Sequence, residues 1–396
     1  MAEAATAPQP WVGRVARLGT VAGLLTLAAC VSGPRRGPVA PPPPPTAVET
    51  PRPIGPELPE DQNRHRIALL VPLSGANAAV GQSIANAANL AVLDTGGKRI
   101  RITFYDTATG PAAAANRAVA EGNKLILGPL LADDVKLVAP VAQRAHVPLI
   151  SFSNDTSVAG NGTFVMGYTP AQSIDRVVRF ARSKGISKFA GLTPSGVYGQ
   201  RAANALLRSV EAAGGQVTSL QTFDRSKGGI AAAVTKLNGA SPYDAVLIAD
   251  SARNAAQAVV LLRKSAPIAK VLGTELWNTE TGIAGLTPLH GAWFASVSDN
   301  LYRQLSSKYR LRYGTGPYRI ASMGYDSVLL VSRIAQGWQV GSDFPIARLM
   351  DEGGFTGIDG PFRFRRDGVV DRALEVQQVG PGGLTVVSAP PGRFED

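Results

Sequence analysis

Cys30 is the only cysteine of the chain, and the three histidines, His65, His146 and His290, stand far from it and from one another. One thiol excludes an intramolecular disulfide, and this scatter offers no zinc-ligand spacing. The histidines read as surface or satisfied core residues. Asp94-Thr95-Gly96-Gly97 contains the triplet that aspartic proteases use, but in one copy and in an α/β context; a helix terminus with a glycine cap explains it without chemistry. Gly81-Gln82-Ser83-Ile84 lacks the last glycine of a nucleophile elbow and lies inside a helical stretch. The sequence contains no phosphate-binding loop, dinucleotide fingerprint or metal constellation. These residue types predict a protein that is not an enzyme and has no cofactor.

The elements around these residues follow a strand–helix rhythm. Residues 66–71 form a short continuous apolar run, the pattern of a strand buried on both faces. Val80, Ile84, Ala87 and Ala91 then follow helical spacing, as do Ile174, Val177, Val178 and Ala181, and later Ala255, Ala258, Val259 and Leu262. Further strands are expected at 100–105, 125–127, 147–152, 188–192, 217–223 and 245–249, with helices at 111–121 and 133–144, the second weakened by Pro140. Such alternation predicts right-handed βαβ units and parallel sheets. The strands are too many for one sheet, so two lobes are expected, with passages between them near 166–170 and 293–295. The tail changes character: short strands at 355–358, 362–364, 374–379 and 384–387 have hairpin signals at Asp359-Gly360 and Asp367-Gly368. Its last pair is expected to extend a sheet edge antiparallel.

At 396 residues with 45% hydrophobic and 17% charged composition, the chain can build about two domains. Its first thirty residues read as an address. Arg14 and Arg17 precede an apolar run at 18–29, roughly 18 Å as helix and too short for a bilayer core of about 30 Å. Leu27-Ala28-Ala29-Cys30 resembles a bacterial lipobox, which implies cleavage before Cys30 and a lipid on its thiol. Val31 and Ser32 follow, without the aspartate that marks inner-membrane retention, so the inner face of the outer membrane is the expected site. Eleven prolines then fall between Pro34 and Pro59, giving an extended spacer rather than a core. The expected organisation is a signal peptide at 1–29, a Pro-rich tether at 30–63, a first lobe of 64–168 with about 294–350, and a second of 169–293 with about 351–396.

Several motifs in order then resemble one family. Val71-Pro72-Leu73-Ser74-Gly75 with Gly81 looks like the opening of type I periplasmic binding proteins of the leucine-binding-like group. Asp106-Thr107, Gly128-Pro129-Leu130, Val147-Pro148-Leu149-Ile150-Ser151, Tyr198-Gly199 and Tyr325-Asp326 recur there in this order. The resemblance covers about residues 64–396 and implies an α/β fold of two lobes, each a mostly parallel sheet flanked by helices, joined by hinge crossovers. The stretches at 128–135 and 166–171 are most similar to a lipoprotein branch that includes the activator of bifunctional penicillin-binding proteins. The proline tether stands where that activator has a helical-repeat domain.

In such folds the cleft is lined by loops at the carboxyl ends of strands, here 73–76, 128–134, 151–156, 193–199, 250–252 and 273–277. The cleft candidates are Ser74, Gly75, Leu130, Asp133, Ser151, Asn154, Asp155, Tyr198, Asp250, Ser251, Glu275 and Trp277. Amino-acid-binding relatives hold a ligand carboxylate with hydroxyls in the second and third loops, where this chain has Asp133, Asp134 and Asp155. Like charges repel there, which disfavours a free α-amino acid and leaves a cationic or polyol ligand, or none. Asp133 and Asp134 also suit the N-cap and first turn of the helix ending at Arg144, and Asp155 suits a loop cap. Trp277 suits either stacking on a ligand or packing between lobes.

The formal net charge is +11, and five basic and five acidic residues precede Arg64, so the folded part carries the whole excess. Arg303, Lys308, Arg310, Arg312 and Arg319 form one concentration, and Arg363, Arg365 and Arg366 another. Both read either as solvated faces or as attraction to anionic envelope components; nucleic acid is not an expected partner. Two functions follow from the resemblance: an activator or scaffold partner of a cell-wall synthase, or a solute-binding lipoprotein of an ABC importer for amino acids, amides or peptidoglycan fragments.

Overall fold

A computed structural model of the chain describes residues 63–226, 228–264, 269–392 and 394. The chain divides into Met1–Glu60 and Asp61–Asp396. The expected signal peptide, lipidated Cys30 and proline tether lie outside the described residues. In chain order the second unit runs β1 (His65–Val71), α1 (Ala78–Asp94), β2 (Ile100–Asp106), α2 (Pro111–Ala120), β3 (Leu125–Leu127), α3 (Ala132–Arg144), β4 (Leu149–Ser151) and β5 (Thr163–Val165). Then come α4 (Pro170–Ser183), β6 (Lys188–Pro194), α5 (Val197–Ala212), β7 (Gln216–Phe223), α6 (Gly229–Asn238), β8 (Ala245–Ile248), α7 (Ala252–Leu262), β9 (Lys270–Gly273) and β10 (Trp293–Ser296). The remainder is α8 (Asn300–Tyr313), α9 (Ala321–Ile334), β11 (Phe355–Gly357), β12 (Gly360–Phe364), β13 (Val370–Arg372), β14 (Glu375–Gly380) and β15 (Gly383–Ser388).

Two sheets form the lobes. The first is parallel, in the order β2-β1-β3-β4-β5. The second has the order β15-β14-β10-β9-β8-β6-β7, with β14 and β15 antiparallel at one edge, as expected of the last pair of strands in the tail. Strand alternation fills both faces. Ile67, Leu69 and Val71 of β1 join the core under α1 and α9, while Ala68 and Leu70 join the one under α2 and α3. In the second lobe, Val246 and Ile248 face α6 and α7, whereas Ala245 and Leu247 face α4 and α5. Burial on both faces is why these strands read as unbroken apolar runs. The strands β5, β9, β10 and β13, of three or four residues each, fall where the pattern reading names no strand.

The chain crosses between lobes at 166–169, 297–299 and 373–374. Two expected boundaries shift. β10 belongs to the second sheet through its pairing with β9 and β14, so the return crossing follows residue 296. The expectation also assigned 351–396 entirely to the second lobe. Instead β11, β12 and β13 form a small antiparallel sheet whose Phe355, Phe362, Phe364 and Val370 complete the first core. Hairpin signals specify the turns but not which core the hairpin covers. Gly357 shows how closely this sheet packs: a Cβ there would lie 2.4 Å from the Asp326 carboxyl on α9.

Candidate functional site

In the first lobe the polar cleft candidates other than Asn154 already have protein partners. Ser74 donates its hydroxyl to Asp106 at 2.6 Å, and the same carboxylate accepts the N–H groups of Leu73 and Ala108. Burial pushes Asp106 upward, but these donors outweigh it and hold the group below the ordinary carboxylate range. Gly75 makes the adjoining turn at φ +72°. Asp133 pairs with Lys136 at 2.8 Å on the exposed side of α3. Asp133 and Asp134 sit in the first turn, where the macrodipole favours acids, but neither side chain caps the helix. Asp134 is raised, chiefly by burial. Leu130 packs against the first core. Ser151 is fully buried and donates to the Pro129 carbonyl at 3.0 Å, while Asn154 is exposed.

Asp155 does two things. It accepts the Ser157 N–H at 2.9 Å, capping the 3₁₀ turn Thr156–Val158, and it meets Arg201 Nη2 of α5 at 2.6 Å. That ion pair joins the first lobe to the second. Burial pushes the carboxyl up, and the guanidinium with the Ser157 donors overcomes it, leaving Asp155 below its ordinary value.

The second lobe gathers the rest. Tyr198 donates its hydroxyl to Glu275 Oε1 at 2.9 Å and lies 3.0 Å from the Thr274 hydroxyl. Burial pushes Glu275 up to about 7 despite that bond. Its Oε2 is sealed from solvent without a hydrogen-bond partner. Trp277 is wholly buried in the second core, donating Nε1 to the Asp250 carbonyl at 3.0 Å. A Cβ on Gly273 would come within 2.4 Å of its indole, so neither ligand stacking nor packing between lobes describes it. The Asp250 carboxylate takes Arg225 through two bonds of 2.9 and 3.1 Å. Ser251 accepts the Asn254 N–H and caps α7.

The crossovers hold a third cluster. Arg319 is buried, pairing with Asp359 at 2.7 Å and Asp299 at 3.2 Å, so it leaves the basic surface concentration expected at 303–319. Tyr168 and Ser322 donate to the same Asp359 carboxylate. Asp326, on α9, accepts the N–H groups of Ile358 and Asp359 and is raised to about 7 by burial and by the Asp359 charge. Arg372 donates to the Met166 carbonyl at 2.7 Å, but its Nε and Nη1 are buried without partners. Tyr168, Ser173, Glu275, Arg319 and Arg372 line a cavity of about 20 Å³, room for about one water. Among the described residues no group of three or more His, Cys, Asp and Glu could hold a metal, and no helix is long and apolar enough to cross a membrane.

The candidates therefore fall into separate groups. Tyr198, Asp250, Glu275 and Trp277 come together in the second lobe, Ser74 and Ser151 are tied within the first, and Asp155 spans the two. Sequence reasoning missed Arg201, Arg225, Asp359 and Arg372. Only Arg201 had a usable signal, since it lies three residues after Tyr198 and so shares a face of α5.

A family profile described as periplasmic binding protein matches residues 65–383. A branched-chain amino acid ABC transporter periplasmic ligand-binding protein from Burkholderia xenovorans LB400 superimposes with a TM-score of 0.69 at 17% identity, over 83% of this chain and 96% of that one. The C-domain of LpoA (YraM) from Haemophilus influenzae, a regulator of PBP1A, superimposes at 0.62 and 20% identity, over 81% and 99%. Of full-length LpoA, 59% is covered. An uncharacterized protein of Rickettsia prowazekii (strain Madrid E) is 29% identical over 143 residues, 36% of this chain and 38% of that protein. The chain thus spans less than half the length of that curated relative. At these identities the solved structures speak for the fold alone, two lobes of parallel sheet joined by hinge crossovers. The profile match, which spans both lobes and all three crossovers, adds the family: this chain is a member of the periplasmic binding proteins.

Proposed function

We propose that the chain is a non-enzymatic envelope lipoprotein whose binding-protein module serves as an activator or scaffold partner of a peptidoglycan synthase, a penicillin-binding protein. The family and its solved neighbours comprise binding and transport proteins and a regulator. One observation carries the choice among these. Ser74, Ser151 and Asp155, three of the first-lobe candidates for holding a solute, are already bonded to the protein itself. The space left beside Glu275 is about 20 Å³, too small for an amino acid. Likeness to the LpoA C-domain supports the same reading. In this proposal Cys30 holds the lipid, the proline tether spans outward from the inner face of the outer membrane, and the module works in the periplasm.

A second reading, a solute-binding lipoprotein of an ABC importer, is favoured by the unpartnered Glu275 Oε2 at the crossover cavity. Melting curves separate the two. A solute at 100 times its Kd adds about 2.7 kcal/mol to a protein that binds it. The scaffold reading predicts no rise with amino acids, amides or peptidoglycan fragments at millimolar concentration; a clear rise with one of them would favour the importer. For the anchor, palmitate labelling of cells should mark the wild-type chain and not Cys30→Ala. Equal labelling of both would remove the lipid from the proposal.

A further inference from the structure

We infer that Asp155 and Arg201 form a built-in latch that closes the two lobes on each other without a solute. The inference rests on the reading above that the cleft works unoccupied, and says how. Asp155 follows β4 in the first lobe, and Arg201 lies in the second turn of α5 in the second lobe. Their 2.6 Å separation is short even for a charge-assisted bond, and the side chains are only 11% and 31% exposed.

Each half of the pair is fixed before the two meet. The Ser157 N–H bonds the same Asp155 Oδ1, so the turn Thr156–Val158 aims the carboxylate. On the other side, Tyr198 binds Glu275 one helical turn before Arg201 and holds the start of α5 against its own lobe. Little side-chain freedom is then lost when the pair forms, which separates it from a surface ion pair between two mobile chains. The neighbouring cation Lys136 does not compete, since it has its own carboxylate in Asp133 at 2.8 Å.

A solute closes a two-lobed protein because it bonds both lobes at once, and it shifts the open–closed balance only by its preference for the closed form. Here the two bonding groups belong to the chain. An acid occupies a first-lobe loop that lines the cleft, and the second lobe supplies the matching base. The closed form is therefore favoured at every solute concentration, and the surface it presents to a partner does not wait on a ligand.

Double electron–electron resonance tests this directly. The protein is the full chain carrying Cys30→Ser, with spin labels at Leu137→Cys on α3 and Leu207→Cys on α5, both exposed positions. Without added solute, one narrow distance is expected. Asp155→Asn retains an oxygen to cap the 3₁₀ turn, and Arg201→Gln sits on a partly exposed helix face, so both should fold, with circular dichroism as the check. Each should broaden the distribution and lengthen its mean by more than about 2 Å, the scale of a domain rearrangement. Arg201→Lys, which keeps the charge, should restore much of the narrow peak. If wild type and both variants give the same narrow distance, the latch is wrong while the scaffold reading stands. If wild type is broad and narrows only with an amino acid, amide or peptidoglycan fragment, both the latch and the scaffold reading fall.

Discussion

Glu275 is where a single residue makes the most measurable claim. Its carboxyl is raised from the ordinary range to about 7 by burial. Below its ordinary value both folded and unfolded chains hold the proton. Between that value and about 7 only the folded chain keeps it, so stability falls as pH rises through this window and levels off above it. Glu275→Gln retains an acceptor for Tyr198 and removes the titration. It should match wild type at pH 4 and exceed it at pH 8 by on the order of 1–3 kcal/mol, read from denaturation at both pH values. An unchanged difference across that range would show that the carboxyl is not held protonated. Asp326, also raised to about 7, leaves a residual slope of the same sign in both proteins. At this scale the sequence was informative where geometry is local. Gly81 and Gly199, taken as motif glycines, are both required by close approach, since a Cβ would fall 1.8 Å from the Pro72 carbonyl and 1.6 Å from that of Pro194. Arg372 and Asp359 were invisible because their partners lie far away in sequence: Arg372 bonds Met166, and Asp359 bonds Arg319.

Among the elements, α9 is the one most constrained by its neighbours. It is buried on nearly all sides, between α1 and the small third sheet, so it shows no polar face for solvent. Gly324 allows that closeness, because a Cβ there would sit 2.5 Å from the Ile84 carbonyl of α1. Gly324→Val should push the helices apart and cost about 2 kcal/mol or more, read as a lower urea midpoint. A midpoint within error of wild type would mean the two helices have slack. The strand–helix alternation was legible because parallel strands buried on both faces leave unbroken apolar runs. The third sheet was legible as hairpins yet assigned to the wrong lobe, since turn residues encode local geometry and not which core a hairpin covers. The basic character of α8 survives in part. Arg310 and Arg312 are exposed and Leu311 between them is 89% exposed, whereas Lys308 pairs with Asp94.

For the whole molecule, the +11 charge belongs to the folded lobes. Internal pairing of Arg201, Arg225 and Arg319 with aspartates leaves that net excess unchanged and only fixes where some of the charges sit. The two-lobed plan and its family could be read from the order of motifs along the chain. How the lobes hold together could not, because the groups that join them, Asp155 with Arg201 and the cluster around Asp359, are brought close only by folding. In the proposed reading, the ties at Asp155 and its neighbours favour a protein partner over a solute. The most direct measurement is affinity capture of the full chain, cross-linked in cells and recovered from detergent-solubilised envelopes, with direct binding of the recovered protein to purified chain. The account predicts a penicillin-binding protein that binds the purified chain with no solute present. Recovery of the membrane subunits of an ABC importer in its place would contradict it.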